Sequence, residues 1–152
     1  MCGGVRIAGE YTRDGKPIRI YFPNPKAALP VLTDSGVEWL PWGRRREEPG
    51  HGPAGGWART ESITEGRWQK YSPQPAAVPV DAFMEKDEEK VSHWFESAGG
   101  ARLEALVVGE DAQRRVYLVT GPAPAGFAWA HDRWPVAIEA APAPNWEELR
   151  NG

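Results

Sequence analysis

The chain has 152 residues, 41% of them apolar, with eight Trp and a net charge of −3. That is enough apolar surface for one sizeable core and too little length for two. A single cysteine excludes a disulfide framework and any multi-cysteine zinc site, and no 18-residue apolar run offers a membrane span. No basic stretch followed by a long apolar run suggests a secretory leader, so a cytoplasmic location is expected.

In chain order, the first feature is Met1-Cys2-Gly3-Gly4. Removal of Met1 would give Cys2 two nucleophiles on adjacent carbons, an α-amine with a pKa of about 7.7–8.0 and a thiol of about 8.5. Such a 1,2-aminothiol is suited to capturing an aldehyde: the amine forms a Schiff base and the thiol closes a thiazolidine ring on it. The plain alternative is a small buried hydrophobe in a first strand.

Residues 3–9 alternate weakly, with Val5 and Ile7 on one face, and predict a strand. The turn Asp14-Gly15-Lys16-Pro17 leads to a second strand over 18–22, giving an opening hairpin. Residues 37–43 read as a short aromatic strand with Pro41 marking an edge or an end. The charge run Arg44-Arg45-Arg46-Glu47-Glu48 opens a Gly- and Pro-rich loop, 44–56, expected to be flexible. It is either a solvated loop or a phosphate-contacting patch beside the indole of Trp42.

A short helix is predicted from about residue 60 to 69, capped by Thr60 or Ser62 and ended by Pro73 and Pro75. Residues 77–85 predict a strand with Val78, Val80, Ala82 and Met84 on one face, leaving Glu85 on the other face or at the strand's end. Runs at 91–97, 103–108 and 115–120 have the spacing of an antiparallel meander. A last strand is predicted over 136–139, and the tail, 142–152, ends in one helical turn around 146–150. The fold class is thus α+β, mainly antiparallel sheet forming a barrel-like core with a few short helices, in one domain spanning 1–152.

Charge is uneven along the chain. Residues 1–80 hold 11 Lys/Arg against 8 Asp/Glu, and residues 81–152 hold 7 against 13. A basic face could therefore coexist with an acidic total.

Five segments in order carry a resemblance: Met1-Cys2-Gly3-Gly4, Trp42-Gly43, Trp57-Ala58-Arg59-Thr60-Glu61, Pro79-Val80-Asp81-Ala82-Phe83-Met84-Glu85 and His131-Asp132-Arg133-Trp134-Pro135. Together they resemble the SOS-response-associated peptidase (SRAP) family, over nearly the whole chain. Members begin Met-Cys-Gly-Arg and carry Asn-Ala-Arg-x-Glu, a Pro-Ala-Asp-Gly strand ending in Glu, and His-Asp-Arg-Met-Pro. The resemblance implies a protein that binds single-stranded DNA and crosslinks to abasic sites through Cys2, after a peptidase-like removal of Met1.

In that picture Cys2 is the double nucleophile, Glu85 shuttles protons near its amine, and His131 is the acid–base at the opening sugar oxygen. Arg59 and Arg133 hold flanking phosphates, with Arg44, Arg45 and Trp57 beside them, and Trp42 stacks on bases. No metal or cofactor is implied, and a monomer is expected. Each role has a structural alternative: Trp42 in the core, Arg59 paired with Glu61 or Asp132, His131 bonded to backbone. Two positions depart from the family. Its Arg after Cys-Gly is Gly4 here, with Arg6 the nearest substitute, and its Asn before Ala-Arg is Trp57. These departures motivate two other readings, a single-stranded DNA-binding homologue without the chemistry, and, further off, a cysteine peptidase acting on other proteins.

Overall fold

The structure is a computed structural model that describes residues 3–138 and the backbone of residues 147–149, with only the backbone given for 97–99. The expected hairpin is present: β1 (Gly4–Ile7) pairs antiparallel with β2 (Ile18–Tyr21) across the Asp14–Pro17 turn. A second hairpin, β3 (Ala28–Thr33) with β4 (Gly36–Pro41), forms a separate two-stranded sheet. β5 (Trp57–Arg59) leads into the short helix α1 (Thr60–Thr64). The rest is the meander β6 (Gln74–Lys86), β7 (Ser92–Val108) and β8 (Arg115–Pro122), followed by β9 (Arg133–Pro135) and β10 (Glu147–Leu149).

The large sheet runs β2-β1-β6-β7-β8-β5, with β9 added on β8 and β10 on β7. Its pairings are antiparallel except β5–β8, which is parallel. The α+β class therefore holds, and the barrel-like description fits only loosely. Among the described residues no ladder joins the terminal strands β2 and β5, so the sheet stays open. The β3–β4 hairpin packs against it instead, with Leu29, Val31 and Leu40 sharing one core with Val78, Val80, Leu103 and Leu118. Among the described residues no helix is long and apolar enough to cross a membrane.

Three local expectations are corrected. The helix stops at Thr64, a separate 3-10 turn covers Gln69–Tyr71, and neither Thr60 nor Ser62 caps the start, since the Thr60 hydroxyl bonds the Glu61 carboxylate. The strand predictions at 91–97 and 103–108 are one long strand, β7, interrupted where its register to β6 shifts. In the tail, 147–149 is extended and pairs with Trp94–Glu96 of β7 rather than turning as a helix. Of the last predicted strand, Ala137 makes a single bridge to Leu103, and Glu139 lies outside the described residues.

The register shift between Val80 and Ala82 sets which side chains at the end of β6 face inward. An unbroken strand would put Val78, Val80, Ala82 and Met84 on one face. Instead Val78 and Val80 share the main core with Phe83, while Ala82 and Met84 pack separately with Trp94. The irregularity exchanges the faces, as such insertions do. It thereby turns Phe83, and two residues on Glu85, toward the inside of the molecule.

Candidate active site

Glu85, the penultimate residue of β6, is fully buried. Its neighbour in register on β7 is His93, and on the other side the N–H of Gly3 donates to the carbonyl of Met84 at 3.0 Å. The face is roofed by β9 and the segment leading to it: Trp134 of β9 sits edge-on over Phe83 at 4.8 Å, and Trp129 edge-on to His93 at 5.0 Å. A buried carboxylate loses hydration that protein dipoles replace only in part, so its neutral form is favoured. Burial raises the Glu85 pKa from its ordinary value to about 8. At neutral pH Glu85 is therefore largely a carboxylic acid, able to donate a proton and then take one back.

Its neighbours Met84 and Lys86 line a cleft of about 640 Å³, together with Gly3, Phe22, Trp57, Trp129, His131 and the turn after β6, among others. His131 is half-buried, and desolvation lowers its pKa below the usual imidazole value. Its Nδ1 accepts the N–H of Arg133 at 3.0 Å. Asp132 Oδ1 lies 3.1 Å from the same nitrogen, but a neutral ring whose Nδ1 already accepts an N–H carries its proton on Nε2. Asp132 therefore makes no hydrogen bond to that nitrogen and attracts the ring only in its protonated form. His131 and Gly3 line one cleft, and Glu85 lies one residue from the Met84 that holds Gly3. Cys2 lies outside the described residues.

The expected DNA contacts fare differently. Trp42 has no exposed surface: its Nε1–H donates to the carbonyl of Gly56 at 3.0 Å, and Phe22 and Trp57 meet it edge-on. The base-stacking role is corrected to a core role. Arg45 is committed to the carbonyls of Trp42, Phe22 and Asn24 and lies over the Phe22 ring. Arg44 donates to the carbonyls of Gly52 and Glu48. These bonds, with paired backbone bonds between Arg44 and Gly55, tie down the loop expected to be flexible. Gly43 makes this crossing possible, since its φ is 61° and a Cβ there would lie 2.2 Å from the Gly55 carbonyl oxygen.

Arg133 is also turned inward. It forms a fork with both Glu61 oxygens, at 2.6 and 3.0 Å, and donates to the Thr120 carbonyl at 2.7 Å. The pairing holds the Glu61 pKa down to about 2. Its phosphate role is corrected to that of a strut between α1 and β9. Arg6 is likewise unsuited to replace the family's Arg, because Asp81 and Glu96 hold it at 2.7 and 2.5 Å.

Of the predicted contacts, Arg59 and Trp57 remain available. Arg59 is exposed and touches Glu61 only at 3.5 Å in solvent, a contact of little strength. Together with Arg67, Lys70 and Tyr71 they line a trough of about 310 Å³ that carries cations and aromatic rings but, among the described residues, no carboxylate. Its sequence signal is the interleaved Arg67-Trp68-Gln69-Lys70-Tyr71, which a helix prediction reaching residue 69 obscures.

Gly4 has a physical partner in Tyr21. A Cβ at Gly4 would lie 2.9 Å from the Tyr21 ring and 3.3 Å from the Ile20 carbonyl oxygen. Gly4→Arg alone is therefore expected to cost about 1–3 kcal/mol by overpacking, and Gly4→Arg with Tyr21→Ser to recover part of that. Urea midpoints of the two variants check it, and equal midpoints would show that the ring is not the obstacle.

The fold is shared with a known structure. A structural-genomics crystal structure of a protein from Bacteroides thetaiotaomicron matches with a TM-score of 0.62 at 13% identity, over 80% of this chain. The match spans 62% of the Bacteroides protein's length, and at this identity the likeness is one of fold alone. No family model matches the sequence, and no curated protein does.

Proposed function

We propose that this is an SRAP-like protein that captures the aldehyde of an abasic site in single-stranded DNA through Cys2, once Met1 has been removed. The observation that carries the reading is the buried Glu85 carboxyl, next in sequence to Met84, whose carbonyl holds Gly3 and which lines one cleft with Gly3 and His131. In the proposed step the Cys2 amine adds to the aldehyde carbon and water leaves, giving an imine. The thiol then adds to the same carbon, its proton passing to the nitrogen. One C–N and one C–S bond form and one water is lost, with no oxidant or reductant. Protonated Glu85 is suited to assist departure of the hydroxyl as water, and His131 to opening of the sugar ring. The trough with Arg59, Arg67 and Lys70 supports a polyanionic strand as the carrier of the aldehyde.

A reading without crosslinking is favoured by one observation, the Tyr21 ring over Gly4 where the family has a phosphate-binding Arg. The two readings separate in one experiment. Intact mass of the Met1-processed protein mixed with abasic single-stranded DNA is expected to show a covalent adduct less one water, and none with Cys2→Ala. Salt-sensitive binding with no adduct would leave the second reading standing and remove the first.

A further inference from the structure

The charges around the two cavities are separated. Among the described residues, the trough is lined by Arg59, Arg67 and Lys70 and no carboxylate, with Glu61 and Glu65 pairing with the two arginines in solvent at 3.5 and 3.3 Å, whereas the cleft is lined by Asp87, Glu88 and Asp132 against Lys86. Trp57 lines both, so the two cavities lie next to each other at that residue, and the carboxylates belong to walls of the cleft that the trough does not share. Asp87 is ionised and held in place: His93 Nε2 lies 2.8 Å from its Oδ2, and its Oδ1 accepts the N–H groups of Glu89 and Val91. Two arginines outside the cleft lining are engaged elsewhere, Arg6 by Asp81 and Glu96 and Arg133 by Glu61.

We propose that the cleft is built for an aldehyde at the end of a strand, an abasic sugar linked to phosphate on one side only. This rests on the aldehyde-capture reading above. A strand lying along the trough has its phosphates matched by cations up to Trp57. A strand continuing beyond the reacting sugar would bring its next phosphate against Asp87, Glu88 and Asp132, and like charges at such separations repel. A terminal sugar has no such phosphate.

The test uses three single-stranded oligonucleotides of equal length carrying the abasic site internally, at the 5′ end or at the 3′ end. Initial rates of adduct formation with the Met1-processed full chain are compared at low salt. One terminal substrate is expected to react about tenfold faster than the internal one, a difference that narrows as salt screens the repulsion. Glu88→Gln/Asp132→Asn is expected to raise the internal rate toward the terminal one. Arg67→Ala/Lys70→Ala is expected to slow the preferred terminal substrate. An internal site that reacts as fast as both ends, or a preference unchanged in Glu88→Gln/Asp132→Asn, overturns the strand-end proposal while leaving aldehyde capture intact. Absence of adduct with all three substrates overturns both.

Discussion

Glu85→Gln is expected to slow aldehyde capture about 100-fold while making the protein more stable at pH 8. The loss follows from replacing a group that donates and takes back a proton with an amide that does neither at these pH values. The gain follows from linkage. Glu85 titrates at about 8 in the folded chain because burial disfavours its charge, whereas the unfolded side chain titrates near its ordinary value of 4.5. Between those values the native state binds a proton that the unfolded state has released, so stability falls as pH rises. The contribution is fully present below about pH 4.5 and is lost by about pH 8, a change on the order of 4 kcal/mol. Glutamine has no proton to lose there, so the variant lacks this part of the slope. Urea denaturation of both proteins at pH 5 and pH 8 measures it, and parallel pH dependences would mean that Glu85 is hydrated or ionised in the native state.

Trp42→Ala is expected to cost about 3–5 kcal/mol, a large share of the roughly 5–15 kcal/mol that holds a typical domain together. The side chain has no exposed surface and fills the space between Phe22, Trp57 and the main core. Trp42→Phe is expected to cost less. It keeps most of the volume and gives up one hydrogen bond, worth about 1 kcal/mol, to a Gly56 carbonyl that still accepts the N–H of Leu118. Thermal or urea unfolding of both variants reads this directly. If Trp42→Ala unfolded like the parent and lost only affinity for single-stranded DNA, the ring would be a base platform rather than part of the core.

Much of the frame was legible in the sequence because period-two alternation survives wherever one face is buried. The opening hairpin and the β6–β7–β8 meander follow from it. The β3 strand was not legible: Ala28-Leu29-Pro30-Val31-Leu32-Thr33 is almost continuously apolar and interrupted by a proline, so it shows no alternation. It forms because β4 pairs with it and the large sheet covers its inner face. The residue types of the proposed site, Cys2, Glu85 and His131, are also visible in the sequence, each suited to a step of the proposed aldehyde capture.

Composition and pattern alone account for the strand-rich α+β class, the single thiol, the uneven charge and the presence of an acid and an imidazole in the second half of the chain. Which charges remain available depends on how distant segments pack. A run of arginines looks alike whether its guanidinium groups meet solvent or carbonyls. Arg45 and Arg133 were taken inward by Phe22, Thr120 and Glu61, residues distant in sequence, whereas Arg59, Arg67 and Lys70 were left outside. The same holds for Glu85. Its burial depends on a register shift several residues earlier, between Val80 and Ala82, and on a roof drawn from residues more than forty positions later. Burial is a property of packing between distant segments, and burial is what turns an ordinary glutamate into an acid at neutral pH.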